Sequence, residues 1–243
     1  MQLRYEQTAT SYFNIPGNII AYWASKGYVN AFTKFSKMRN HYEMDSGIKT
    51  GNNELFLKLW FEVPNLSLCQ HPTLRDLYEG NYKWFKYNKG GGYRKWYGGY
   101  EHVINLKSNA KDIRDRISKD TYRLRNSEKY FKKSIIWPLI GDIRFSARYM
   151  NDDTLSDVAS NVIVLDDDFD YGLLSIMNSK VFNEMLKFIN STVSYPIDSI
   201  ASVPIKLSIS DSAKKLGEDN VSIVKNDWDS FETSWDFKKH PLI

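Results

Sequence analysis

Basic and aromatic side chains alternate around three consecutive glycines in residues 81–100, which read NYKWFKYNKGGGYRKWYGGY. Lysine and arginine neutralise phosphates and release the counterions that condense on nucleic acid. Glycine lets the backbone approach a phosphate without an obstructing Cβ, and an arginine such as Arg94 can donate to both O6 and N7 of guanine. The chemistry that this segment predicts is therefore nucleic-acid binding.

The candidate DNA contacts lie in a polar loop, in the basic and aromatic segment, and in a later strand. They are Thr50, Asn52 and Asn53 in the loop, Lys83, Lys86, Lys89, Arg94, Lys95, Trp96 and Tyr97 in the segment, and Arg144 and Arg148 in the strand. Each group has a structural alternative. The loop residues could simply cap a helix, the aromatic residues could form the core of a β-hairpin with solvated lysines, and the two arginines could pair with nearby acids. Trp137, Leu139 and Phe145 are interpreted as packing residues.

Charge is distributed unevenly along the chain. Lysine and arginine number 8 against 7 aspartates and glutamates in residues 1–80, 17 against 6 in residues 81–149, and 8 against 16 in residues 150–243. The overall formal charge of +4 thus combines a middle of about +11 with an end of about −8. We expect the middle to bind DNA in a salt-dependent way and the acidic end to face a partner domain or solvent.

Other kinds of site find little support in the sequence. The single cysteine, Cys69, excludes an internal disulfide and a cysteine-based zinc cluster, and the four histidines lack the spacing of metal ligands. The glycines at 90–92 do not follow an apolar strand that opens into a helix, as a nucleotide-binding loop would. The acidic run at 166–168, with Asp170, is interpreted as a solvated turn rather than a cation site.

Catalysis and membrane insertion are not predicted either. An enzyme that methylates the amino group of a base needs a loop with two adjacent prolines, and none of the seven prolines is adjacent to another. No Walker motif or serine-nucleophile elbow is present. No apolar stretch approaches the roughly 18 residues of a membrane span, and no signal peptide is recognisable. We expect no catalytic residue, cofactor or metal, no membrane partner, and a cytoplasmic bacterial protein.

Turn signals and apolar spacing predict the elements that position these residues. Helices are expected over residues 53–63, with Asn53 as N-cap or with a strand at the aromatic end, over 172–189, and as an exposed helix or loop over 111–125. Strands are expected on both sides of the glycine loop in 82–106, twice in 130–149 around a turn near Gly141 and Asp142, and in 158–165. Residues 195–207 are expected to be an extended return crossing, and 208–226 a polar boundary or loop. The prediction is an α+β fold with a twisted, mixed or mostly antiparallel sheet and packed helices.

An ordered series of segments resembles a known family. The segments are IPGNIIAYWAS, GIKTGNNELFLKLWFEV, KWFKYNKGGGYRKWYGGYEHVINL, YFKKSIIWPLI with RFSARY, SDVAS, MNSKVFNEMLKFIN and DSIASVPI. Together they are similar to the part that follows the catalytic domain in the PglX family of adenine-specific DNA methyltransferases of the BREX phage-defence system, and to segments of related type IIG and TaqI-like enzymes. Gly98 and Gly99, where that family has Asn-Asn, and Ser160, where glycine is usual, depart from the pattern.

The resemblance implies a target recognition domain that reads double-stranded DNA for an adenine-N6 methyltransferase of phage defence or restriction-modification. It implies a connector from a missing methyltransferase domain at residues 1–44, the target recognition domain at 45–210, and the start of a C-terminal helical region at 211–243. S-adenosylmethionine belongs to the complete family enzyme, so this chain alone is expected to be inactive. Its expected partners are double-stranded DNA, a methyltransferase domain or separate catalytic polypeptide, and other defence-system proteins. The alternatives are a protein-interaction module of a defence complex and, less favoured, a metal-dependent nuclease.

Overall fold

Short strands and short helices alternate along the chain. The computed structural model describes residue 13 and residues 15–17, 19–20, 22, 24–124, 127–141, 144–165, 169–190 and 192–243. Within these ranges the helices are α1 (Lys26–Lys34), α2 (Asn53–Phe56), α3 (Leu74–Glu79), α4 (Lys107–Arg116), α5 (Tyr171–Met177), α6 (Lys180–Ile189), α7 (Ile197–Ala201) and α8 (Asp211–Trp228). The strands are β1 (Ser36–Lys37), β2 (Met44–Ser46), β3 (Leu57–Leu59), β4 (Leu68–Cys69), β5 (Trp84–Asn88), β6 (His102–Asn105), β7 (Ser134–Pro138), β8 (Arg148–Met150), β9 (Thr154–Ser156), β10 (Ser160–Val164) and β11 (Pro204–Ile205). The α+β class predicted from the sequence is confirmed.

The first sheet is antiparallel and has the strand order β2-β10-β7-β8. Its two central strands, β7 and β10, have continuous apolar sequences. They pair with each other, and Ile136 lies opposite Val162. Both strands are buried along nearly their whole length. Leu173 of α5, Phe182 of α6 and Val221 of α8 belong to the same hydrophobic cluster as these strands. Helices therefore cover this sheet, and burying both faces of its central strands accounts for their continuous apolar sequence.

The second sheet is mixed, and β5 lies at its centre. β6 pairs with β5 in antiparallel fashion, with Ile104 opposite Phe85. On the other edge β4 and β9 both run parallel to β5, β4 beside its first half and β9 beside its second half. Phe85 and Tyr87 point into a separate core, which also contains Ile113 of α4. The segment with the basic and aromatic side chains thus begins in a strand that is paired on both edges.

The apolar helix predicted over residues 172–189 is divided into two helices. α5 ends at Met177, with Asn178 as its C-cap residue, and α6 begins after Ser179, whose hydroxyl accepts a hydrogen bond from the Phe182 amide at 3.1 Å. A serine in this position satisfies a backbone amide that the start of the helix leaves free. The apolar spacing continues across the break, so the sequence pattern alone did not reveal it.

The loop that was one alternative for residues 208–226 is wrong, because α8 is an 18-residue helix there. Its buried residues, Gly217, Val221 and Trp228, form a narrow stripe along one side. At Gly217 the helix lies so close to α5 that an added Cβ would be 2.2 Å from the carbonyl oxygen of Tyr171. A helix that packs through a glycine shows few apolar side chains in its sequence, which explains the error.

Two other predicted elements differ in extent. The helix predicted over 53–63 ends at Phe56, and its N-cap is Asn52 rather than Asn53, since the Asn52 side chain accepts from the Leu55 amide at 3.1 Å. The chain then continues as β3, but the aromatic end itself, with Trp60, forms a short 3-10 helix over Trp60–Glu62 and not the strand expected as the alternative. In the predicted hairpin β5 pairs with β6, whereas residues 93–100 form no regular strand. Positive φ angles at glycines 90–92 and 98–99 divert the backbone there from the extended conformation.

The remaining strand predictions agree with the structure. The two strands expected in residues 130–149 are β7 and β8, which pair in antiparallel fashion, and the strand expected in 158–165 is β10. The helix expected over 111–125 is α4, which ends earlier, at Arg116. The return crossing at 195–207 includes the short helix α7 before β11.

Some predictions fall outside the described residues. These are the acidic turn at 166–168, the Asp142 part of the turn near Gly141, and most of the lead-in before residue 24. In the described ranges, no helix combines the length and apolarity needed to cross a membrane. The same ranges contain no group of three or more histidine, cysteine, aspartate or glutamate side chains placed to hold a metal ion.

Replacing glycine by alanine in α8 and in α1 should have opposite effects. Gly217→Ala would force α8 away from α5 and should lower the free energy of unfolding by about 2 kcal/mol, as overpacking of a tight contact does. Gly27 in α1 is exposed, and a Cβ there would meet only the Ser25 hydroxyl oxygen, at 3.7 Å. Gly27→Ala should therefore raise stability by about 0.5 kcal/mol. Urea denaturation of both variants measures the difference, and a Gly217→Ala protein as stable as Gly27→Ala would contradict the close helix contact.

Candidate nucleic-acid interface

The segment that contains the glycine loop returns along the first sheet rather than along β5. The Trp96 amide donates to the Ala147 carbonyl at 2.9 Å, and the Tyr149 amide donates to the Trp96 carbonyl at 2.8 Å. The Arg94 amide donates to the Ser146 hydroxyl at 3.3 Å. Residues 93–97 are therefore held beside residues 145–149, which brings two groups of predicted contacts together.

Trp96 adopts a backbone conformation that is uncommon for a bulky residue, with φ of +74°. It lies in the left-handed region between two hydrogen bonds to the neighbouring segment. The surrounding structure must stabilise such a conformation, which costs on the order of 1–3 kcal/mol in isolation. The path of the chain from Arg94 to Tyr97 is thus imposed by its contacts and not by local preference.

The turn between α5 and α6 clamps residues 145–147. The Asn178 side chain accepts from the Ala147 amide at 3.0 Å and donates to the Ala147 carbonyl at 2.9 Å. The Asn183 side chain accepts from the Phe145 amide at 3.0 Å. On the other side, the Nζ atom of Lys95 donates to the Asn178 carbonyl at 2.6 Å. These contacts fix the position of α6 relative to both predicted contact segments.

Two predicted contacts are buried in this arrangement. Arg148 has a relative exposure of 1%, and Tyr97 is also buried. Burial lowers the pKa of the Arg148 guanidinium to about 10. Its Nε and Nη2 atoms have no hydrogen-bond partner in the described part of the chain. In this conformation the Arg148 guanidinium faces the protein interior, so direct contact with DNA would require it to move.

Lys86 is also engaged within the protein. Its Nζ atom donates to the Asp153 carboxylate at 2.5 Å, and the side chains of the pair are only 14% and 15% exposed. The ammonium also lies 5.5 Å from the centre of the Trp235 ring. Its charge is therefore compensated by residues that lie later in the sequence, in the acidic third of the chain.

Other residues of the acidic third cover the basic and aromatic segment as well. The Arg94 guanidinium lies 4.8 Å from the centre of the Trp228 ring, and the Trp235 indole donates to the Tyr100 carbonyl at 3.0 Å. Lys225 bonds Asp229 at 2.5 Å. Burial opposes the charged form of Lys225, but its hydrogen bonds to acids are sufficient to raise its pKa. The expectation that the acidic end faces a partner domain or solvent is wrong for Trp228 and Trp235, because a cation–π contact and a hydrogen bond place them on the segment.

The three loop residues bond to one another at the start of α2, and one of them, Asn52, caps that helix. The buried Thr50 hydroxyl donates to the Asn53 side chain at 2.6 Å and accepts from the Asn52 amide at 3.2 Å. Asn52 caps α2. Asn52 and Asn53 are exposed, and contact of the loop with DNA stays a prediction.

Four of the predicted contacts are exposed cations. They are Lys83, Lys89, Arg94 and Arg144. Lys83 lies 5.2 Å from the centre of the Trp84 ring, and Arg94 contacts Trp228. Within the described part of the chain, none of the four forms an ion pair with a carboxylate. Their charges remain available to a ligand.

Two further cations, Lys180 and Lys187 of α6, were not predicted from the sequence. They line a cleft whose opposite wall is formed by Tyr93, Lys95 and Arg144. The helix over 172–189 is predicted from its apolar spacing, and its lysines are not among the predicted DNA contacts. The signal that could have revealed the two lysines is their separation by seven residues, which places both on one face of a helix.

Comparison with known proteins relates nearly the whole chain to adenine-specific methyltransferases. It is 34% identical over 246 residues to the adenine-specific methyltransferase PglX of Lacticaseibacillus casei (strain Zhang), a match that covers 98% of this chain and 20% of that protein. It is 33% identical over 235 residues to the adenine-specific methyltransferase BrxX of Escherichia coli O9:H4 (strain HS), covering 94% of this chain and 18% of that protein. The chain spans about a fifth of the length of these relatives.

No protein-family model matches the chain. Among solved structures, the Type IIL restriction-modification enzyme MmeI in complex with DNA is similar with a TM-score of 0.41 and 9% sequence identity. That match covers 81% of this chain and 29% of the MmeI chain. The predicted similarity to adenine-specific methyltransferases is confirmed by PglX and BrxX.

Removing the Asn178 side chain should destabilise the protein. Asn178→Ala would leave the buried Ala147 amide without a partner, whereas the Ala147 carbonyl would keep its hydrogen bond from the Trp96 amide. An unpaired buried group costs about 1–3 kcal/mol, so we expect the free energy of unfolding to fall by about that amount, measured by urea denaturation. The matched control is Asn226→Ala on the exposed side of α8, which should change stability by less than about 0.5 kcal/mol. Equal effects of the two substitutions would contradict the clamp.

Proposed function

We propose that this chain is the part of an adenine-specific DNA methyltransferase that recognises the target sequence in double-stranded DNA. The observation that carries the proposal is that Lys89, Arg94 and Arg144 are exposed and form no ion pair with a carboxylate of the described residues, in a chain related to adenine-specific methyltransferases. An enzyme that modifies adenine within a particular sequence needs a surface that binds the duplex and distinguishes its bases. Exposed lysines and arginines supply both functions.

The two types of cation have different expected roles. Lys83 and Lys89 carry compact charges on flexible stems, which suits contacts with phosphates. Arg94 and Arg144 have planar guanidinium groups that can donate two hydrogen bonds to a guanine edge in the major groove. Base contacts by these arginines would discriminate between sequences by about 1–3 kcal/mol each. Phosphate contacts would supply affinity and register.

The proposal assigns recognition to this chain and methyl transfer to another part of the enzyme. The sequence lacks adjacent prolines, so the loop expected to hold the amino group of a flipped adenine lies elsewhere. We therefore expect S-adenosylmethionine to be bound by a methyltransferase domain, or by a separate catalytic polypeptide, that works together with this chain. Participation of other phage-defence proteins belongs to the same proposal, since PglX and BrxX are its relatives.

Removal of the exposed cations should weaken DNA binding and its salt dependence. For the triple variant Lys89→Ala, Arg94→Ala and Arg144→Ala we expect much weaker binding of duplex DNA at low salt. The slope of log K against log [salt] should decrease by about 0.9 for each cation that contacts a phosphate, and sequence preference should weaken where an arginine contacts a base. Fluorescence anisotropy with labelled duplexes over a series of salt concentrations measures both quantities.

The matched control is the triple variant Lys26→Ala, Lys206→Ala and Lys239→Ala, which removes three exposed charges at other places in the chain. It should retain nearly all of the affinity, because the proposal depends on the location of the charges and not on the net charge. A wild-type chain that fails to bind duplex DNA even at low salt, or equal losses in the two triple variants, would overturn the proposed function.

A further inference from the structure

The cleft beside α6 gathers cations from three separate parts of the chain. Tyr93, Lys95 and Arg144 form one wall, and Lys180 and Lys187 form the other. Its volume is about 490 Å³, within the range of about 300–1,000 Å³ that is typical of ligand-binding clefts. The space is therefore large enough for a ligand and is surrounded by positive charge.

The positive charge of the cleft is only weakly compensated. Among the described residues that line it, Glu184 is the one acid against four cations, which gives a net charge of +3. Glu184 pairs with Lys187 at 2.7 Å, but the side chains are 58% and 49% exposed for Lys187 and Glu184 respectively. Ion pairs at such exposure contribute little, so Lys187 can exchange this partner for a phosphate.

Lys180 occupies a position that does not favour a cation in the isolated helix. It is the first residue of α6, and the first turn of α6 has no acidic residue. The N-terminal end of a helix carries partial positive charge, so a lysine there is unfavourable. Lys180 is exposed and has no ion pair in the described part of the chain. The helix gains no stability from this charge, so the charge is free to contact a ligand.

The two lysines of α6 are spaced to follow a polyanion. They are seven residues apart, which corresponds to about 10 Å along a helix and places them on one face. Phosphates follow one another at about 3.4 Å of axial rise per strand, so the pair can contact separate phosphates of one strand. A single free phosphate would engage only one of them. Tyr93, 44% exposed, offers an aromatic face on the opposite wall.

We infer that the cleft binds the phosphodiester backbone of one strand of the duplex, with Lys180 and Lys187 as phosphate contacts. Lys95 and the α5–α6 turn position α6, and Arg144 on the opposite wall is left to face the base edges. This inference rests on the proposed function, because it assumes that the chain binds double-stranded DNA. It adds α6 to the interface as a second, backbone-binding wall.

The double variant Lys180→Gln and Lys187→Gln tests the assignment. We expect weaker binding to every duplex tested, whatever its sequence, and a salt slope that is smaller by about 2, one unit for each lysine. Fluorescence anisotropy measures both effects. The melting temperature should not fall, since both side chains are exposed and Lys180 opposes the helix dipole. The control Lys238→Gln and Lys239→Gln removes two exposed charges outside the cleft and should leave the slope nearly unchanged.

The outcomes separate this inference from the proposed function. If the wild-type chain binds duplex DNA and the Lys180, Lys187 double variant has the same affinity and salt slope, the inference is wrong while the proposed function stands. If the wild-type chain does not bind duplex DNA, both are overturned. Inorganic phosphate and a mononucleotide serve as competitors. Displacement of DNA by either at micromolar concentration would show a small-anion site and would contradict binding of an extended strand.

Discussion

The hydrogen bonds between the Asn178 side chain and the Ala147 backbone are the constraint on which the candidate interface depends. They join the α5–α6 turn to the strand segment that follows Arg144, and the same segment pairs with residues 93–97. Because a buried amide that satisfies both backbone groups of one residue tolerates little displacement, the positions of α6 and of the glycine-rich segment are linked. These hydrogen bonds therefore hold Lys95, Arg144 and Lys180 in positions where they line one cleft.

The strong separation of charge along the sequence is partly resolved inside the molecule. Asp153 compensates Lys86, and Trp228 and Trp235 of the acidic third lie against Arg94 and Lys86. One side of the basic segment is therefore covered by the C-terminal part of the chain. Elsewhere, Lys95 and Arg144 line the cleft beside α6. Folding therefore divides the positive charge into a fraction bound within the protein and a fraction available to a ligand. Net charge counted along the sequence overestimates the second fraction.

Sequence patterns were reliable where one chemical signal decided the local structure. Burial explains the continuous apolar runs of β7 and β10 and the amphipathic spacing of α6, and apolar residue types indicate burial directly. The basic and aromatic composition of residues 81–100 likewise identified a region that contributes Tyr93 and Lys95 to the cleft. Sequence patterns failed where packing depends on a glycine, which has no side chain, or on which segments of the chain pair with each other. Gly217 conceals the contact of α8 with α5. The predicted hairpin forms between β5 and β6, but residues 93–100, which were expected to belong to its second strand, pair instead with remote residues 146–149.

By itself, therefore, the sequence determined the α+β class, the location of the basic segment and the resemblance to adenine-specific methyltransferases, because each depends on the order and chemistry of residues that are near one another in the chain. Only the tertiary structure decided which cations are available. Arg148 and Lys86 have the same residue types as Arg144 and Lys89, yet burial and the Asp153 carboxylate withdraw the first two from solvent. Lys180 and Lys187 line the cleft because packing fixes the distance between side chains on remote elements. No local sequence pattern specifies that distance.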